Sequence, residues 1–303
     1  MGARRRVPGL ERERARWGWR FVAPGIVFFS IFSFYPMLNA FWTSFFNKKL
    51  LSLKSPDFVG LANYVRVLGS PEFWNSARAT GVFTLGVFIP LFSLSLLFAA
   101  LITGLRRGRR LVQAALYSPA VLSSVVAALI WLLMLDPRGL ANQFANFLAG
   151  TPGVDRKWLA DARMVQISTM IVYVWKYLGY FTILFVTGMG KIPESVYEAA
   201  MIDGAGPFRR FFSVTLPLLR PTTVMVTVMI VIQCMKTFST QYLFTQSGAP
   251  SAPINVITLN IYNTAMRDLN IGRASVMSTL LFMLMLGLTY VQLRFSRRGE
   301  DDL

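Results

Sequence analysis

Two sets of polar side chains at helical spacing are where this chain could do chemistry. Tyr173, Lys176, Tyr177 and Tyr180 fall at i, i+3, i+4 and i+7 of one apolar segment, and Gln233, Lys236, Thr237 and Thr240 repeat that spacing in another. Each set therefore occupies one face of a helix. Hydroxyls, amides and flat rings bind better than they react, and facing one another they suit a sugar, whose own faces alternate between hydroxyl and C–H surfaces. The other reading of both faces is that they hold helices together. Catalysis has little to work with. The chain contains no His, which removes an imidazole base, a His metal ligand and a Ser-His-Asp arrangement. Its single Cys, Cys234, lies in an apolar run and reads as a small buried side chain rather than a reactive thiol. No phosphate-cradling loop occurs, since Gly190-Lys191 is followed by Ile192 and lacks the upstream Gly. If nucleotide energy drives this protein, another chain binds the nucleotide.

The elements that carry these faces are membrane spans. The 303 residues are 54% hydrophobic with a mean hydropathy of +0.49. About 20 mainly apolar residues cross a hydrocarbon core, where only helices or closed barrels satisfy the backbone. Six helices are predicted, over residues 20–46, 77–105, 111–135, 164–190, 219–243 and 274–295. The first is too long for a signal peptide, carries Pro24 and Pro36, and lacks a small-residue cleavage site. The two-residue alternation of a membrane barrel is absent. None of the fourteen Asp and Glu residues lies deep in a span, which counts against a proton-coupled carrier. An ion-coupled carrier using carbonyls and hydroxyls stays open. Lys176 falls near mid-membrane, where an unpaired ammonium costs about 2.5–3.5 kcal/mol on insertion scales, so a wet cavity is expected around it. An anionic solute is a second way to receive that charge. Lys236, roughly 25 Å from the inner end of its helix, is expected near the outer headgroups, within snorkelling reach.

Basic residues orient the bundle. Eighteen Lys and Arg lie in the N-terminal stretch, residues 106–110, the 191–220 connection and the tail, against eleven spread over the longer opposite loops. Both termini and the 191–217 loop are therefore expected in the cytoplasm. The expected organisation is a basic cytoplasmic N-terminus (1–19), a six-helix membrane domain (20–295) containing the cytoplasmic loop (191–217), and a cytoplasmic tail (296–303). The net charge of +17 then serves topology and attraction to anionic lipid, not nucleic-acid binding.

That loop, from Pro193 to Pro217, reads PESVYEAAMIDGAGPFRRFFSVTLP. Pro193 suits a first helical turn, Glu194 complements the positive helix end, and Gly204 and Gly206 terminate the segment, which predicts a helix over 195–203. A second piece starts at Pro207 and offers Phe208, Phe211, Phe212 and Val214 as an apolar side. The small pair Ala199 and Ala200 lets a partner surface come close, and Gly204 supplies the bend. The alternatives are a docking element and an ordinary solvated connection.

Here the residues resemble a known family. Glu198-Ala199-Ala200, then Gly204, then Val214-Thr215-Leu216-Pro217 is similar to the EAA loop of binding-protein-dependent ATP-binding-cassette (ABC) importer permeases. The fuller string resembles the maltose and glycerol-phosphate permeases of the carbohydrate-uptake group. Phe58-Val59-Gly60-Leu61-Ala62-Asn63-Tyr64, Asp136-Pro137-Arg138-Gly139-Leu140-Ala141-Asn142 and Val174-Trp175-Lys176 extend the likeness along most of the chain. The resemblance implies an all-α membrane protein with the type I ABC importer permease fold, working as a non-catalytic sugar-transport subunit of a bacterial or archaeal cytoplasmic membrane. It implies that the loop is a coupling helix, with Glu198, Ala199, Ala200, Asp203, Gly204 and Pro217 as contact and bend positions. The implied partners are a second, different permease, two copies of an ATPase that bind the ATP and Mg, and an external solute-binding protein. This chain itself holds no cofactor. It departs from the maltose permease in lacking two extra N-terminal helices and a large domain inserted in the 136–163 loop. An ion-coupled secondary carrier working alone is the competing reading. A membrane-embedded enzyme is the third, and it lacks an acid–base pair.

Overall fold

The computed structural model describes residues 8–105 and 107–297. Of the expected cytoplasmic stretches, residues 1–7, Arg106 and 298–303 lie outside the described residues. The chain divides into two compact units, residues 1–67 with 264–279 and residues 68–263 with 280–303.

In the first unit, helix Pro8–Phe29 runs through a π-helical turn, Ser30–Phe34, into helix Tyr35–Thr43. Pro36 lacks an N–H and its ring crowds the carbonyl one turn back, and widening the ladder just before it relieves that crowding. The stretch Arg16–Thr43 is long and apolar enough to cross a membrane. It ends earlier than expected, because Phe46 sits in a two-residue strand, Phe46–Asn47, paired antiparallel with Asp57–Phe58. This ribbon and an isolated antiparallel bridge between Lys49 and Asn270 are the β pairing among the described residues. The Asn63 amide fastens it, donating to the Ser44 and Phe46 carbonyls at 2.9 Å each. Gly272 donates its N–H to the Lys48 carbonyl at 3.0 Å, and a Cβ at Gly272 would strike the Phe46 carbonyl oxygen.

The second unit holds the polar faces. Its first span, Pro71–Thr103, begins six residues before the expected start, with Pro71 in the first turn and Glu72 beside the positive helix end. Arg78, counted with the outer loop on sequence, therefore lies on the helix. The fourth span of the chain is Ala162–Met189. Asp161 caps it, accepting from the Arg163 and Met164 N–H groups. Those two bonds, Met164's the larger in effect, hold the Asp161 carboxyl below the usual carboxylate range.

Two spans read as continuous on sequence are broken. The third consists of Arg109–Val121 and Ser124–Met134, bent by 97°. Pro119 removes the donor that would reach the Ala115 carbonyl, and the Ser118 hydroxyl takes that carbonyl instead at 2.9 Å. Leu122 is extended, and Ser123 restarts the helix as its N-cap by accepting from the Val126 N–H at 3.2 Å. The fifth consists of Arg220–Met235 and Ser239–Gln246. At its break Thr237 donates back only to Cys234, at 3.2 Å, and Phe238 leaves the helical region at φ −147°. The last helix is Ile271–Arg297.

The fourth span is the axis of this unit, packing against Pro71–Thr103 and Arg109–Val121. Phe83, Val87, Leu91, Phe181, Phe185, Val226 and Ile230 form the shared core. Close approach is set by Gly179, where a Cβ would overlap the Leu116 carbonyl. The 136–163 loop contains helix Leu140–Ala149 and is tied to itself, since Asn142 and Asn146 both donate to the Val154 carbonyl at 2.9 and 2.8 Å. The stretch after Gln246 is packed. Ile254, Val256, Ile257 and Leu259 are buried, and the Ile257 N–H reaches the Thr80 hydroxyl at 2.9 Å.

Gly179 and Gly81 give opposite expectations for one type of substitution. Gly179→Val is expected to destabilise by at least the ~1–3 kcal/mol of overpacking, because backbone rather than a flexible side chain stands in the way. Gly81→Ala meets nothing within 4 Å and is expected to gain up to about 1 kcal/mol of helix propensity. Thermal unfolding of the purified protein in detergent checks both signs.

Candidate functional site

The two breaks and the middle of the fourth span meet around one cavity of about 280 Å³. The fourth span contributes Tyr173, Lys176 and Tyr177; the third contributes Ser124, the first residue after its break; the fifth contributes Gln233, Lys236, Thr237 and Thr240. Seven of the eight side chains singled out on sequence therefore line a common space. The eighth, Tyr180, is not among the lining residues and packs edge-on against Phe181 at 5.1 Å between centroids.

Lys176 is only 6% exposed. Its Nζ donates to Ser124 Oγ at 2.7 Å and stands 5.1 Å from the centroid of the Tyr177 ring, so a hydroxyl and a ring face receive the ammonium. The Tyr173 and Tyr177 rings lie 4.6 Å apart. Thr237 Oγ1 donates to Gln241 Oε1 at 3.0 Å, and the Thr237 carbonyl, freed by the break, accepts from the Thr258 hydroxyl. Gln233 Oε1 is buried without a protein partner. No Asp or Glu lines the cavity.

The fifth span around Lys236 is where the expectation of a continuous helix needs correction. Lys236 is exposed, and its helix does not simply run on past it. The helix resumes at Ser239 and continues to Gln246, and Lys236 opens onto the same cavity as Lys176. The four fifth-span residues also do not share an unbroken helical face, because the ladder stops between Gln233 and Thr240. Ser124, Phe238 and Ser239 are lining residues that periodicity could not find, since each belongs to a break. The signal for one was present in Pro119 followed by Ser123-Ser124, a stop and then a cap.

At the far end of the fourth span, helix Glu194–Ile202 starts one residue earlier than expected, with Pro193 as its N-cap and Asp203 as its C-cap. Gly204 takes φ +74°, which favours glycine. The Ala205 N–H closes on the Ala200 carbonyl at 2.9 Å. Helix Pro207–Arg210, a π turn Phe211–Thr215 and the short Leu216–Leu218 follow. The π turn ends two residues before Pro217, the same relation seen ahead of Pro36. Tyr197 and Thr215 hydroxyls meet at 3.2 Å and tie the two halves together. Glu198, Ala199, Asp203, Gly204 and Pro217 are exposed and Ala200 is half-buried. Ile202 and Phe208 are 86% and 79% exposed beside them. Among the described residues no group of His, Cys, Asp and Glu could hold a metal ion.

Residues 67–298 match the family described as binding-protein-dependent transport system inner membrane component. The chain belongs to this family. It is 32% identical over 296 residues to the trehalose/maltose transport system permease protein MalF of Thermococcus litoralis, covering 96% of this chain and 97% of that one. It is also 32% identical over 275 residues to the sn-glycerol-3-phosphate transport system permease protein UgpA of Brucella suis, covering 90% and 92%. Its fold is matched by a chain from the crystal structure of a bacterial alginate ABC transporter in complex with alginate pentasaccharide-bound periplasmic protein. That match has a TM-score of 0.81 and 19% identity over 95% of this chain and 96% of that one. The protein is a multi-pass ABC importer permease by fold and family.

The cavity is open to a chemical check because the one native thiol, Cys234, is fully buried. Lys236→Cys and Thr240→Cys are expected to react with a water-soluble methanethiosulfonate reagent in membranes while the unsubstituted protein stays unlabelled. Labelling of the unsubstituted protein, or none at either introduced thiol, would contradict a water-accessible cavity bounded by these residues.

Proposed function

We propose that this permease forms half of the pathway of an ATP-driven importer for a sugar or sugar derivative, oligosaccharide or glycerol-phosphate-like. A second, different permease completes the pathway. Two copies of a cytoplasmic ATPase bind the ATP and Mg and perform the hydrolysis, and an extracytoplasmic solute-binding protein delivers the solute. The assembly sits in a bacterial or archaeal cytoplasmic membrane with both termini and the Glu194–Ile202 helix on the cytoplasmic side. This chain is not an enzyme and carries no cofactor.

The observation that carries the reading is the pairing, in one compact unit, of a polar cavity with a loop helix whose apolar Met201 and Ile202 side chains are exposed. The cavity supports a sugar through tyrosine rings, threonine hydroxyls and the free Gln233 oxygen. The relatives' printed solutes, trehalose/maltose and sn-glycerol-3-phosphate, support the same class. The projecting helix supports coupling. Glu198, Ala199, Ala200, Asp203 and Gly204 would seat on the ATPase, and closure of the ATPases would move the loop as a rigid body.

Gly204→Trp separates these roles. A Cβ at Gly204 meets nothing within 4 Å inside this chain, so the bulk interferes with a partner, and the left-handed backbone adds strain. The variant is expected to insert into membranes and to retain receptor affinity, but to lose ATPase co-purification and transport. Normal ATP-dependent transport would refute the coupling role. Ion-dependent uptake by the solitary purified chain would favour a secondary carrier instead.

A further inference from the structure

We propose that an anionic phospholipid binds this chain where the span Pro71–Thr103 meets the 191–217 loop, with an acyl chain in an apolar groove and its phosphate on Arg210. The groove encloses about 830 Å³. It lies wholly in the second unit and shares no lining residue with the polar cavity. One wall is a stripe on the end of the span, where Phe92, Leu96, Leu97, Ala100 and Leu101 share a face. The other wall is the second half of the loop, with Phe208, Phe211 and Phe212. From Phe92 to Gly104 the stripe runs about 18 Å at 1.5 Å per residue, close to the ~15 Å that one leaflet contributes to a hydrocarbon core. Its length is therefore that of an acyl chain in a single leaflet. Leu97, Leu101, Phe208 and Phe212 are exposed, so this chain leaves the groove open.

Charge decides which lipid. Arg210 is the one charged side chain in the lining, and its Nε is buried without a protein partner. A buried guanidinium N–H is costly until it finds an acceptor, and phosphate matches the guanidinium fork. Hydrocarbon alone would fill the groove and leave that donor orphaned. Inorganic phosphate would satisfy the donor and leave the phenylalanine rings uncovered. An amphiphile answers both, and the membrane around the span supplies it. The surroundings in sequence are basic as well, with Arg209 beside Arg210 and Arg107, Arg109 and Arg110 soon after Gly104. The loop's carboxylates, Glu194, Glu198 and Asp203, belong to the preceding helix and its cap and do not line the groove. A basic end on an apolar slot favours an anionic headgroup over a zwitterionic one. With the loop in the cytoplasm, as the importer reading has it, the lipid belongs to the inner leaflet; the binding itself does not rest on that reading.

The test uses the permease in the complex in which it is purified, in nanodiscs of phosphatidylcholine containing a minor fraction of phosphatidylglycerol with a photoreactive diazirine on its acyl chain. A matched phosphatidylcholine probe is the control, and labelled peptides are mapped by mass spectrometry. Residues 92–104 and 207–216 are expected to take the phosphatidylglycerol probe about tenfold more than the control, the scale of one charge-assisted hydrogen bond. Excess inorganic phosphate is expected not to compete. Arg210→Gln is expected to abolish the preference. Leu97→Trp, which fills the groove and keeps the guanidinium, is expected to lower labelling of both segments by either probe, so the test survives if one variant fails to fold. Equal labelling by the two probes, a preference that persists in folded Arg210→Gln, labelling unchanged in folded Leu97→Trp, or displacement by phosphate overturns the proposal. So does a benzoylphenylalanine at Leu101 that links to another protein chain instead of to lipid.

Discussion

Backbone that leaves the helix inside a membrane must be buried in protein or face a water-filled space, because lipid offers no hydrogen bonds. This chain leaves the helix twice in mid-span, after Val121 and after Met235, and both departures open onto the same cavity. Local groups settle the orphaned backbone. The Ser118 hydroxyl takes the Ala115 carbonyl, Ser123 takes the Val126 N–H, and the Thr258 hydroxyl takes the Thr237 carbonyl. The half-helices that follow the breaks, Ser124–Met134 and Ser239–Gln246, pack on one another. The breaks therefore support each other, and the cavity is a consequence of how the unit closes. Lys176 depends on the same arrangement. Its ammonium would cost a few kcal/mol in hydrocarbon, and the hydroxyl that receives it is the first residue past the bend in the third span.

The proposed coupling follows from what is left unbroken. From Lys176 the fourth span continues as regular helix to Met189, about 20 Å at 1.5 Å per residue. The fifth span returns from Arg220 to Met235 without interruption. The two lie in contact where they meet the loop, since a Cβ at Gly188 would press on the Thr222 side chain. In the proposed importer, displacement of the Glu194–Ile202 helix is passed along two stiff, mutually packed rods to the residues that bound the cavity. Interiors packed at crystal-like density transmit such displacements instead of absorbing them.

Much of this was legible in the residues, for identifiable reasons. Apolar length exposes spans, and three of the four fourth-span residues at i, i+3, i+4 and i+7 lie on the side of that helix that faces the cavity. The loop was readable because Pro193, Gly204 and Pro207 are local backbone instructions. The breaks were not. Residues 111–135 satisfy a hydropathy criterion as well as an unbroken helix does, although Pro119 and the Ser123-Ser124 pair carry the stop and restart. The fifth-span break has no proline at all. It depends on a tertiary partner, Thr258, which sequence periodicity cannot supply. The assumption of a straight fifth span carried its face through the break at Lys236, whereas Tyr180 sits on an unbroken helix and packs on Phe181 instead of lining the cavity.

The most direct test of the account places a photoreactive benzoylphenylalanine at Ile202, exposed on the projecting helix, in membranes that carry out ATP-dependent uptake. The account expects an adduct with an ATP-binding chain whose yield changes between nucleotide-free and ATP-bound conditions. Uptake proceeding with Ile202 linked to no such chain in either condition would contradict the claim that another protein's ATP cycle enters this one through that helix.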